Sequence, residues 1–162
     1  MLETMTETGP KLKASRIDEA EKSLGKKFPK SYRDFLLKYN GGRPIPPCFP
    51  IEGFSEDPYG ECQCILGIDV PEESSNILWS EEVLRDRLPT HLLPIALTPV
   101  GDILCLSYAR KNKGAVVFCD MLMSEGYEVT EEHTYPVAAS FEEFLNSLVV
   151  SDSDDAKDED EE

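Results

Sequence analysis

Apolar side chains recur at Tyr32, Phe35, Leu36 and Tyr39, a spacing that draws one continuous stripe along a helix. Pro29 opens that helix at its first position, where its missing N–H forfeits no intrahelical bond. Asn40-Gly41-Gly42 closes it with residues that tolerate a left-handed backbone. The segment before it follows the same logic. Ser15 caps a first helix with Asp18 in the third position, Ile17, Ala20 and Leu24 give it an apolar face, and Gly25 ends it. Phe28, just ahead of Pro29, can staple the entry to the second helix, so the two predict a helical hairpin.

The period then changes. Arg43-Pro-Ile-Pro-Pro-Cys-Phe-Pro50 cannot be helical, because each proline pushes its predecessor toward extended geometry; the stretch predicts an edge or connection running to Ile51–Phe54. Ser55 to Gly60 is a turn-rich loop, and Cys62 to Ile68 reads as a strand. A helix starts at Ser74 or Ser75 and runs to about Arg87, with Ile77, Leu78, Val83, Leu84 and Leu88 on its buried side and Trp79 as a packing anchor. Leu92–Leu97 is a short apolar strand. Ile103–Tyr108 and Ala115–Cys119, joined by the polar turn Arg110–Gly114, predict a β-hairpin. Tyr127–Val129 and Thr134–Ala138 add edge pieces around an acidic loop. Ser140 and Glu143 form a capping box that launches a final helix carrying Phe141, Phe144, Leu145 and Leu148. Helices at both ends with strands between them define an α+β class. The chain divides into a flexible lead-in (1–13), one folded domain (14–150) and an acidic tail (151–162) whose composition predicts disorder.

Charge changes the picture once it is divided. The 162 residues carry a net charge of −16, yet residues 11–43 hold ten bases against four acids. The tail holds eight acids and one lysine, and the body between is acidic. Such a surface repels nucleic acid and attracts a basic partner. No apolar run reaches the roughly 18 residues of a spanning helix, and no basic-then-apolar leader opens the chain; the expectation is a cytoplasmic protein with no membrane partner. Five cysteines (Cys48, Cys62, Cys64, Cys105, Cys119), an odd number in apolar company, predict reduced core thiols.

The series of the helix pair ending Tyr39-Asn-Gly-Gly42, Leu93-Pro-Ile-Ala96, Gly101-Asp102 with its apolar strand, the Gly114 hairpin and Ser140-Phe-Glu-Glu-Phe-Leu145 resembles the SUKH superfamily from about Ser15 to Leu148. That superfamily includes Smi/Knr-type fungal cell-wall regulators and bacterial immunity proteins. The resemblance implies a twisted, mainly antiparallel sheet flanked by an N-terminal helix pair, a middle helix and a C-terminal helix. It also implies binding in place of catalysis, with neutralisation of a toxin domain, often a nuclease or deaminase, as the activity. A Smi/Knr-like regulatory scaffold is the alternative. The proline-rich stretch Pro44–Pro50 departs from the family pattern.

A basic nuclease-like toxin would be met by acidic loops that mimic phosphate and steer association. The candidates are Glu56, Asp57 and Glu61 in one group, Asp102, and Glu125, Glu128, Glu131 and Glu132 in another, with Tyr59 as an aromatic anchor. Each has a plainer reading: solvated loop charges for the glutamates and Asp57, a carboxylate bonded to turn amides for Asp102, loop packing for Tyr59. Cys62-Gln-Cys64 lacks the second pair of a zinc site, and alternation along a strand would put both thiols on one side. A Cys119–His133 pair is the best dyad folding could assemble, and no phosphate loop, nucleophile elbow or metalloprotease motif is present. The expectation is a non-enzymatic protein with no cofactor and no metal. Its partner is a cognate toxin domain or another basic protein, and it is itself a monomer or weak dimer.

Overall fold

In the computed structural model, which describes residues 1–54, 58–122 and 128–150, the framework is a five-stranded antiparallel sheet of strictly neighbouring connections. It runs in the order β5 (Cys64–Ile65), β6 (Leu92–Leu97), β7 (Ile103–Ser107), β8 (Val116–Cys119) and β9 (Thr134–Ala138). Helices α1 (Ala14–Leu24) and α2 (Lys30–Lys38) precede it, α3 (Ile77–Val83) lies between β5 and β6, and α4 (Phe141–Asn146) follows β9. Two small antiparallel ladders complete the described residues: β1 (Thr4–Thr6) with β2 (Arg43–Ile45), and β3 (Cys48–Pro50) with β4 (Tyr59–Glu61).

Strand alternation sorts the sheet into two unequal faces. On the first, Leu93, Ile95, Leu104, Leu106, Val116 and Phe118 join Ile17, Tyr32, Phe35, Leu36, Phe141 and Phe144 in the main core. The ring of Phe141 meets Tyr32 edge-on at 5.0 Å and Phe35 at 5.2 Å, which locks α4 onto α2. On the second face, Leu92, Ile103, Cys105, Val117 and Cys119 form a smaller cluster whose cover is loop residues: Leu84, Leu88, Met121 and Val129.

Two buried polar residues fix the helix pair. Asn40 adopts φ 55°, ends α2, and spends its whole amide: Oδ1 accepts from Ile68 N at 2.8 Å while Nδ2 donates to Pro10 O and Ile68 O, each at 2.8 Å. Gly67 must be glycine here, since a Cβ would stand 2.5 Å from Asn40 O. Glu21, only 5% exposed, accepts from Phe28 N at 2.6 Å and from Arg33 at 2.8 Å, so the carboxylate holds the α1–α2 turn shut.

Several expectations need correction. Residues 4–6 of the lead-in form β1 and bury Met5; three residues are too few to display a period, and their pairing with β2 is long-range. Helix α1 starts at Ala14, so Ser15 lies inside it, and Pro29 is the cap of α2 with Lys30 its first residue. The strand read over 62–68 shortens to Cys64–Ile65. The helix read from Ser74 or Ser75 to Arg87 divides into a 3-10 turn at Glu73–Ser75 and α3, with Asn76 extended between them and bonded to four backbone groups. Ile77, Leu78, Leu84 and Leu88 pack inward as read. Val83 is 55% exposed, and Trp79 is half-buried outside both core clusters instead of anchoring them.

Candidate functional site

Because loops cover the second face of the sheet more thinly than helices cover the first, a groove of about 580 Å³ remains there. Its apolar lining comes from Leu92, Val117, Val129 and Pro136, while the neighbouring Tyr135 turns its ring to Phe118 and Phe54 on the first face; its polar lining includes His91, Lys111, Glu128 and Glu131. Each polar group is placed by a local device. Val129 N donates to Arg87 O at 2.7 Å and ties the Glu128 loop to the segment after α3. Thr130 caps a 3-10 turn over Glu131–His133: the His133 ring Nδ1 lies 3.3 Å from Thr130 N and 3.2 Å from Thr130 Oγ1. This turn projects Glu131 and Glu132 outward, both exposed. From the β7–β8 turn Lys111 Nζ donates to Glu131 Oε1, a bond that holds the Glu131 carboxyl below the ordinary carboxylate range.

Two of the sequence candidates, Glu128 and Glu131, are therefore brought together at one rim, with Glu132 the next residue of the same turn. Tyr59, 47% exposed, and Glu61 lie apart on β4, whose ladder packs Phe49 against Phe118 of the first face at 6.5 Å. Asp102 is 5% exposed and takes no part in either surface. Its Oδ1 accepts from Met121 N at 2.8 Å, so it pins the end of β8 to the β6–β7 turn; burial pushes its carboxyl up, against the pull of that amide. Glu56, Asp57 and Glu125 lie outside the described residues, as does the segment 151–162. Reading the sequence missed His91, Lys111 and Pro136 as groove residues, because the lining assembles from segments separated by up to 47 positions, Pro89 to Pro136, and no local pattern joins them.

The cysteines offer packing in place of chemistry. All five are unbridged thiols. Cys119 Sγ lies 3.7 Å from Cys105 Sγ, while the His133 ring is engaged with Thr130, so the sequence's Cys119–His133 pair is not assembled. Cys62 is buried, which pushes its thiol well up, whereas Cys64 is half-buried with Sγ 3.7 Å from Ser75 Oγ; the two do not share one environment. Among the described residues no group of three His, Cys, Asp or Glu side chains could hold a metal ion, and no helix is long and apolar enough to cross a membrane.

The features together define an α+β domain with one sheet face covered by helices and the other covered by loops that leave a groove edged by carboxylates. Residues 11–147 match the SMI1 / KNR4 family (SUKH-1), and the chain belongs to that family. It is also similar to the SPbeta prophage-derived uncharacterized protein YokK of Bacillus subtilis (strain 168), with 26% identity over 150 residues that cover 83% of this chain and 73% of that protein.

Proposed function

We propose that this protein is an immunity protein that neutralises a basic toxin domain by covering its active cleft with the grooved face of the sheet. The observation that carries the reading is the groove of about 580 Å³ whose rim bears Glu128 and Glu131, with Glu132 beside them. An apolar floor with a polar, charged rim is the usual anatomy of a recognition surface, and carboxylates at the rim raise the association rate of a cationic partner. The net charge of −16 acts in the same direction at longer range. The groove offers side chains suited to contact, and the mechanism is steric: the bound protein denies the toxin its substrate, with no covalent step. Membership of the SMI1 / KNR4 family supports a binding role and also supports the second reading, a regulatory scaffold.

The test is capture of the toxin domain encoded beside this gene, at micromolar protein and low salt. A 1:1 complex that abolishes toxin activity supports the reading. A complete failure to bind, together with no toxin gene in the neighbourhood, transfers the weight to the scaffold.

A further inference from the structure

One end of this acidic molecule carries positive charge that nothing described neutralises. The α1–α2 turn supplies Lys26 and Lys27, and the β7–β8 turn supplies Arg110 and Lys113. Tyr108 joins the two turns: its hydroxyl donates to Lys27 O at 2.8 Å, and Lys26 Nζ stands 5.9 Å above its ring. The β7–β8 turn is itself fixed, with Gly114 N bonded to Ser107 O at 2.8 Å and Ser107 Oγ to Asn112 Oδ1 at 2.6 Å. Lys111 on the same turn is consumed by Glu131, but among the described residues none of the other four cations has a carboxylate within 4.0 Å. Lys27, Arg110 and Lys113 are exposed.

We propose that this basic end, framed by Lys26, Lys27, Arg110 and Lys113, is the docking surface for the chain's own acidic segment 151–162. The segment carries eight acids and one lysine, a net −7 opposite in sign to the four cations of the surface and more than enough to neutralise them. Its tether suffices. Val149 is held by backbone bonds to Cys48 at 2.8 and 3.1 Å, and twelve residues beyond Val150 reach about 40 Å when extended. A body of this size has a radius of gyration of only about 15 Å. Tethering gives the segment an effective concentration on the order of millimolar at the surface, which an unattached acidic peptide must exceed. A long polyanion such as nucleic acid fits less well, because beyond this end it would run onto a body of net negative charge. Charge pairing of this kind requires no fixed fold of the segment. With its basic end occupied, the protein presents one sign of charge to a partner. The assignment does not depend on the toxin reading.

Zero-length carbodiimide cross-linking of the full chain at submicromolar concentration, followed by peptide mapping, tests it. Amide links from carboxylates of 151–162 to Lys26, Lys27 and Lys113 are expected, at least fivefold more frequent than links to Lys11 and Lys13. The combined substitutions Lys27→Glu, Arg110→Glu and Lys113→Glu should reduce the remaining link to Lys26 by at least fivefold while the circular dichroism spectrum stays unchanged. Links spread evenly over all lysines would overturn the proposal, as would links that form only between molecules or a Lys26 link indifferent to the three substitutions. A full chain whose 151–162 acids are changed to Asn and Gln supplies the second readout. It should bind a ten-residue oligoglutamate at least tenfold more tightly than the parent does, and no gain, or a gain only for a ten-nucleotide oligothymidylate, would also overturn the proposal.

Discussion

The two faces of the central sheet are built from the same five strands, and they carry different burdens. The first packs Leu104, Leu106, Val116 and Phe118 beneath the rings of α2 and α4, with Tyr32, Phe141 and Phe144 fully buried. The second packs Ile103, Cys105, Val117 and Cys119 beneath loops alone, and leaves a groove. Side chains interlocked on a helix cannot rearrange to meet a partner without losing buried area. The second cluster is buried as well, but the loop residues at its rim are exposed, so that rim can be altered, or occupied, at small cost to the fold. Most of the buried core therefore lies on one side, and the groove proposed for recognition on the other.

The sharpest way to break this division is to empty the first face. Phe141→Ala removes a fully buried ring that bridges Tyr32 and Phe35, and should cost about 3–5 kcal/mol in urea denaturation. Asn40→Ala leaves Ile68 N without its acceptor and two carbonyls without a donor, all beneath the helix pair. A loss of about 2–3 kcal/mol is expected by the same measurement. On the second face, Glu128→Lys, Glu131→Lys and Glu132→Lys together should change the unfolding free energy by less than about 1 kcal/mol, since all three are exposed. The same triple variant should slow association with a basic partner tenfold or more at low salt, read by stopped-flow, with the effect shrinking as salt rises.

The smallest effect concerns Asp102. Its folded-state value lies above the ordinary carboxylate value because burial disfavours the charge. The native state therefore holds this proton to higher pH than the unfolded chain does, and stability falls as pH rises from the ordinary value through the raised one. Asp102→Asn keeps an oxygen to accept from Met121 N and removes the titration. It should flatten that part of the pH–stability profile, with stability at neutral pH equal to the parent's or slightly above it.

What could be read from the residues follows the range over which each signal acts. Helix α2, the β7–β8 hairpin and α4 are written locally: the Tyr32–Phe35–Leu36 stripe, the Gly114 turn and the Ser140–Glu143 cap each lie within a dozen residues, and all three elements are present. Strand β1 escaped because three residues show no period, and its partner Arg43–Ile45 is nearly forty positions away. Trp79 misled because its size promises burial, while Ile77 and Leu78 on the same helix take the places in the main core. For the site, the glutamates of 128–132 were visible as an acidic loop, and the bonding of Asp102 to a turn amide was foreseeable from the residue type. The groove was not visible, because Leu92, Val117 and Pro136 share a face only when four strands pair.

Hydrogen–deuterium exchange of the protein with and without a toxin domain that it captures tests the division of labour most directly. Slowed exchange should map to residues 89–92, 107–112 and 128–136, while α1, α2 and α4 keep their free-state rates. Protection concentrated on those three helices, with the groove segments unchanged, would contradict the account.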